Sequence, residues 1–262
     1  MSLDLAPEIS PTPLAGTALI VGATQGIGLE IVQQLLRQPQ ISLVYATYRR
    51  TETATALMAL QSQYPDQLNC LSMDITDEAQ IAATLNHIQQ QTPTLHLLLN
   101  SVGLLHDGSL QPEKNLQQIQ PEHLMRLFQV NSIGSVLLAK HALPLLRHPH
   151  RSILASISAK VGSIGDNHLG GWYGYRASKA ALNMFMRTVA LEYRRKSPQT
   201  LVVTLHPGTT DTALSQPFQR QVPPEKLFPV RRTAQQLLQV LAGLTLADSG
   251  QFFSWDGSRL PW

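Results

Sequence analysis

Residues 17–28 read TALIVGATQGIG. The first seven form a short, nearly unbroken apolar run, the pattern of a strand covered on both faces of a parallel sheet. The turn Gly22-Ala23-Thr24-Gln25-Gly26-Ile27-Gly28 follows, then a helical pattern with Ile27, Ile31, Leu35 and Leu36 on one face. The three glycines have separable uses there: a tight turn, close approach of backbone to a pyrophosphate, and close packing of helix on strand. A Gly cluster alone is only a turn. The strand before it and the helix after it make this one a nucleotide-binding loop.

The same alternation continues outward. Residues 41–47, ISLVYAT, read as a second strand ending in Tyr48-Arg49-Arg50. An acid at that strand end would bond a free ribose 2′-hydroxyl, whereas Arg suits a 2′-phosphate. Arg49 therefore points to NADP(H), with Arg50 as a helper. Residues 51–63 read as helix and 68–72 as a strand, after which Asp74 and Ile75 bound the place for an adenine. Asp77 is the N-cap of a helix carrying Ile81, Leu85 and Ile88. A Leu-rich strand at 95–99 closes in Asn100-Ser101-Val102-Gly103, where a Gly just past a parallel strand lets a ligand near the backbone. After a loop at 104–114, one long helix is expected from Pro121 to about Pro144, with Asn131 in its middle. Strands follow at 152–158 and 200–205, with the turn HPGTTDT at 206–212. A Pro-rich connection at 213–230 reads as a lid, and 209–230 as a whole as a substrate-side loop. A helix at 231–246 and a strand at 251–255 complete the chain. The pattern predicts an α/β fold: a single-domain, Rossmann-type doubly wound parallel sheet of about seven strands with helices on both faces, spanning 15–262. Residues 1–14 read as a flexible leader.

Composition narrows the class. With 262 residues and 43% apolar content, the chain is long enough for one domain with a full core. The net charge of +3 is carried by only 14% charged residues, too sparse for a phosphate-tracking stripe, so no nucleic-acid partner is expected. A single Cys70 fits a reducing compartment. No apolar run approaches the roughly 18–20 residues of a membrane span, which leads to the expectation of a soluble, cytoplasmic protein. The nine His contain no HExxH, and no GxSxG elbow occurs, so neither a metal site nor a hydrolase triad is expected.

The stretch 172–179, WYGYRASK, places Tyr175 and Lys179 one helical turn apart on one face. A fixed ammonium near a phenol favours its ionised form, which brings a Tyr into general acid/base range. Trp172, Leu169 and Phe218 would suit an apolar substrate, although a structural role fits each equally well.

In sequence the chain resembles the classical short-chain dehydrogenase/reductase family from about Gly16 to Trp262. The resemblance is carried by GATQGIG at 22–28, NSVG at 100–103, VNSIG around Asn131, the YxxxK pair Tyr175 and Lys179, and the turn Pro207-Gly208. Within the family, YRASKAALNM, HPGTTDT and the ending GQFFSWDGSRLPW look most like the C-factor-like and sniffer-type carbonyl reductase branch. One departure stands out: Ser158 lies four residues before Gly162, where the family's serine stands three before, and an ungapped count lands on Ala159. Ser158 is the expected catalytic serine and Ser156 the alternative.

The resemblance implies an NADP(H)-dependent oxidoreductase acting on a carbonyl or secondary alcohol. Tyr175 would be the general acid/base, Ser158 would bond the reacting oxygen, Lys179 would contact the nicotinamide ribose, and Asn131 would support a water leading to the ammonium. Cofactor contacts are expected at Gly22, Thr24, Gln25, Gly26, Ile27, Gly28, Arg49, Asp74, Ile75, Asn100, Val102, Gly103, Tyr175, Lys179, Pro207, Gly208, Thr210 and Thr212. A homodimer or homotetramer is expected, packed through the helices of Asn131 and Tyr175. A C-factor-type signalling protein or sensor that binds NADP(H) without important turnover is the alternative.

Overall fold

The computed structural model describes residues 13–262. Of the expected leader, 1–12 lie outside the described residues, and Leu14 is buried in the core. Strand β1, Gly16–Val21, is the third strand of a seven-stranded sheet. Its side chains split by parity, as a strand requires: Ala18 and Ile20 face one apolar cluster, Leu19 and Val21 the other. Around it stand β2 (Ile41–Tyr48), β3 (Leu68–Ser72), β4 (Leu97–Asn100), β5 (Ser152–Ile157), β6 (Thr200–His206) and, last, β9 (Phe252–Ser254). Their order is β3-β2-β1-β4-β5-β6-β9, and every pair is parallel.

Parallel pairing needs a crossover between neighbours, and the helices supply it on both faces. Helices α1 (Gly26–Leu35), α2 (Thr55–Gln63) and α7 (Val230–Gly243) cover one face. On the other lie α3 (Glu78–Gln91), α5 (Gly134–Leu146) and α6 (Tyr173–Lys196). The Asp77 carboxylate accepts from Gln80 N at 3.1 Å, as its N-cap position predicts.

The long helix expected from Pro121 is not uniform. It runs as α4 (Pro121–Phe128), a π-helical turn at Gln129–Ile133, and then α5, which carries Pro144 inside its last turn and ends at Leu146. The wide turn falls on Asn131, and such turns occur mostly where a function needs a side chain displaced from the regular spiral. The connection at 209–230 is also more ordered than its prolines suggest. The short strands β7 (Thr209–Thr210) and β8 (Leu227–Phe228) pair in parallel and clamp its two ends.

The connection order reverses between β1 and β4, so the carboxyl ends of these two strands open a crevice at which open α/β sheets bind ligands. At the opposite edge His96, His148 and His150 cluster, with ring centroids 4.9 and 6.4 Å from His96. His96 Nδ1 accepts the Thr17 N–H at 3.2 Å, and burial, then the two neighbouring imidazoles, hold its pKa below the ordinary 6.5. The unfolded chain therefore takes up this proton first as pH falls, and acid favours unfolding. The share of urea stability that His96 contributes should decline as pH drops through about 6.5, in the same window as that of the buried His206 and well below that of Lys179. His96→Gln should reduce that slope, and an unchanged slope would remove His96 as its source.

Candidate active site

The crevice is a cleft of about 870 Å³ that runs from the Gly-rich loop to the start of α6. Its floor is built from backbone that tolerates no side chain. Gly22 has φ +82°, and a Cβ there would meet Val102 at 2.6 Å; a Cβ on Gly28 would meet the Gly22 carbonyl and Ser101 Oγ at 2.4 Å. Ser101 Oγ ties the loop down by donating to the Val21 carbonyl at 2.7 Å. Helix α1 begins at Gly26 with no side-chain cap and no acid in its first turn, so its first amides stay open to an anion. Across the cleft Thr212 approaches Gly26 to within 3.3 Å of where a Cβ would stand. This narrow, Cβ-free cradle at a helix N-terminus fits a dinucleotide pyrophosphate.

The far end is polar. Arg49 and Arg50 line it at the end of β2, together with Asp74 and Ile75. Asp74 accepts from Thr76 N and Oγ1, both at 2.8 Å. Partial burial pushes its carboxyl up, but the Thr76 bonds and the charges of Arg49 and Arg126 outweigh this and leave its pKa below the usual value. Arg126, on α4, also lines the cleft. Nothing in its sequence neighbourhood marks it, because α4 reaches this place only through tertiary packing.

At the near end Tyr175 stands in the first turn of α6, 7% exposed and lining the cleft. Lys179 Nζ lies 5.9 Å from the Tyr175 ring centroid and donates to the Ile157 carbonyl at 2.9 Å. Burial lowers the Lys179 pKa to about 8 and pushes the Tyr175 phenol above its ordinary value. With no hydrogen bond from the ammonium to the phenol, desolvation decides the direction, and Tyr175 is a neutral phenol.

Three expected residues sit one layer behind the cleft wall. Asn131 is held by the chain itself: its Oδ1 accepts from Leu104 N at 2.7 Å, and its Nδ2 donates to the Leu104 carbonyl and to Ser178 Oγ. The π-helical turn thereby clamps the chain just after Gly103. Asn100 is likewise occupied, donating to Ser135 Oγ and accepting from Val102 N, so it shapes the strand end rather than lining the cleft. Lys179 is the third, beneath Tyr175 and 2% exposed. The remaining expected contacts do line the cleft: Thr24, Gln25 and Ile27 on one wall, Val102 and Gly103 on the floor, and Pro207, Gly208, Thr210 and Thr212 opposite.

Ser158 follows β5 directly and also lines the cleft, beside Ala159, which packs in the cluster around Tyr175. Ser158 Oγ donates to Asn183 Oδ1 at 2.7 Å. Ser156, the alternative, is buried opposite Thr204 inside the sheet and is absent from the cleft wall. Leu169 is 93% exposed and takes no part in the lining. Trp172 and Phe218 do, with ring centroids 4.9 Å apart, and His106 meets Phe218 edge-on at 5.8 Å. His206, another lining residue, accepts Lys160 N–H at Nδ1; burial first and the Lys160 charge second lower its pKa to about 4.

The start of α6 is set by a residue that the sequence left unmarked. Trp172 has φ +51°, the sole such non-glycine among the described residues. It is held there by Glu113 of the loop after β4, whose carbonyl accepts Trp172 N–H and whose buried carboxylate accepts Gly174 N–H at 3.1 Å. Glu113 thus caps α6 from outside the helix, two residues before Tyr175. Gln111, Lys114 and Asn115 flank it in the sequence, and only the long-range contact distinguishes it from them.

The family model "short chain dehydrogenase" matches residues 16–223. Benzil reductase ((S)-benzoin forming) of Saccharomyces cerevisiae is 31% identical over 217 residues, 80% of this chain and 78% of the relative. C-signal of Myxococcus xanthus is 33% identical over 139 residues, 53% of this chain and 78% of that one. Among solved structures, an NADPH-bound carbonyl reductase from chicken fatty liver superposes with a TM-score of 0.85 at 28% identity, covering 96% of each chain. The carbonyl reductase Sniffer of D. melanogaster gives 0.83 at 25%, over 95% of this chain and all of its own.

Proposed function

Because the chain belongs to the short-chain dehydrogenase family, we propose that it is an NADP(H)-dependent carbonyl reductase with Tyr175 as its proton donor. The observation that carries this reading is Tyr175 itself: a buried phenol above Lys179, lining one cleft together with a pyrophosphate cradle. The NADPH held by the chicken carbonyl reductase and the cluster of Arg49, Arg50 and Arg126 support the choice of cofactor. When bound, NADPH supplies the hydride that reduces a carbonyl carbon.

The chain's own residues do the rest. The open amides of α1 take the pyrophosphate, and Arg49 takes the 2′-phosphate. Ser158 Oγ bonds the carbonyl oxygen, and Tyr175 Oη gives it a proton. Lys179, charged below about pH 8, holds the site positive while the phenol gives up its proton. Asn131 keeps the backbone after Gly103 from closing on the cleft floor. Trp172, Phe218 and Leu214 give the substrate side an apolar wall, which suits the kind of substrate named for the yeast relative. The similarity to C-signal favours a second reading, a signalling protein that binds NADP(H) without turnover. That function needs no buried phenol and lysine, so the reductase is preferred.

The exposed faces of α4 and α6 fit the expected oligomer. Met125 on α4 with Ile133 of the π-helical turn after it, and Tyr173, Met184 and Leu191 on α6, stand in solvent. Light scattering should give a dimer or tetramer mass that falls to the monomer in Met184→Glu; a monomeric parent would remove this contact. Tyr175→Phe should lower kcat for benzil and related diketones by about 10²–10⁴-fold while NADPH still binds. Binding without NADPH consumption by the parent chain, across aldehydes, ketones and diketones, would favour the signalling reading instead. Arg49→Ala should weaken NADPH about 10–100-fold by fluorescence titration and leave NADH unchanged, since one charge-assisted contact is lost. Equal weakening of both would sink the 2′-phosphate assignment.

A further inference from the structure

A serine hydroxyl has one proton and two lone pairs, so the group behind it decides which of them it shows to a ligand. Behind Ser158 that group is Asn183, four positions after Lys179 on α6 and 3% exposed. Its neighbours on that helix face, Leu182 and Met186, are apolar core residues. With Ser158 Oγ donating to Asn183 Oδ1 at 2.7 Å, the hydroxyl proton is spent inside the protein. Only lone pairs then face the cleft, and Asn183 Nδ2 is left buried with no partner. Such an orphaned donor is rare in folded chains.

A half-turn of the Asn183 amide exchanges its two polar atoms within one outline. Nδ2 then donates to Ser158 Oγ, the orphan is satisfied, and the Ser158 proton is released toward the cleft. Oδ1 turns into the layer between α6 and β6. The hydroxyl of Thr204, on the α6-facing side of β6 by alternation with Val202, is also buried and unpartnered there. Asn183 does not itself line the cleft, so it touches neither substrate nor cofactor.

We propose that Asn183 is a positioning residue whose amide donates to Ser158 Oγ and thereby aims the Ser158 proton at the reacting carbonyl oxygen. The proposal rests on the reading of Ser158 given above. Its test is a double-mutant cycle on the full chain, with kcat and KM measured for benzil and NADPH affinity followed by fluorescence. Ser158→Ala should lower kcat about 10²–10³-fold, the loss expected for one oxyanion donor. Asn183→Ala should lower kcat about 10–100-fold with little change in KM or NADPH affinity, and add nothing in the Ser158→Ala background. Asn183→Asp, which can only accept once ionised, should be at least as impaired as Asn183→Ala at the alkaline end of the pH profile. Asn183→Leu keeps the volume without either polar atom and serves if the buried carboxylate prevents folding. The Asn183 side-chain amide resonances should also shift in Ser158→Ala. Additive losses in the double variant, or full kcat in Asn183→Asp across the alkaline limb where the carboxyl is ionised, would overturn the proposal while leaving Ser158 in place. An unimpaired Ser158→Ala would remove the serine's role and the proposal together.

Discussion

A charged amine cannot be buried without a partner, and the way Lys179 meets that demand shapes the whole reactive end of the molecule. Its ammonium is 2% exposed and reaches the Ile157 carbonyl at the end of β5. To do so α6 must lie hard against the turn after that strand. Gly162 records how hard: a Cβ there would fall 2.7 Å from Lys179 Cβ and 2.9 Å from its carbonyl carbon. The same proximity brings Tyr175 beside Ala159 and over the cleft. The cost of desolvation appears in both groups, as an amine less basic and a phenol less acidic than in water.

Around this contact lies a set of uncharged polar groups whose hydrogen bonds run into the protein. Asn131 bonds Leu104 on both sides of its peptide unit, Asn100 bonds Val102 and Ser135, and Ser101 bonds the Val21 carbonyl. Each fixes a strand end that would otherwise carry unpaired backbone groups beside an open crevice. Glu113 does the same for the start of α6. Precision at the surface of the cleft is therefore set by hydrogen bonds made behind it.

Much of this was legible in the chain alone. The run at 17–28 gave strand, turn and helix because buried parallel strands are apolar on both faces and glycine is demanded by contact with Gly22 and Ser101. Tyr175 and Lys179 followed from helical spacing. What stayed hidden depended on long-range partners. Asn131 looked like a poor helix former, yet it sits on a wide turn that periodicity does not encode. Arg126 and Glu113 look like solvated charges until α4 and the loop after β4 are folded onto the cleft. The sense of the phenol's shift is also beyond spacing, which reports that an ammonium is near but not how much water both groups lose.

The pairing of β7 with β8 has a consequence for how such a protein diversifies. The excursion between them leaves from and returns to adjacent strands, so its length is uncoupled from the register of the main sheet. Lengthening a loop whose ends are already closed adds little entropy, about 0.6 kcal/mol per doubling. Insertions, deletions or grafts at 216–226 are thus a cheap evolutionary route to new selectivity, with the nucleotide half of the molecule inherited unchanged.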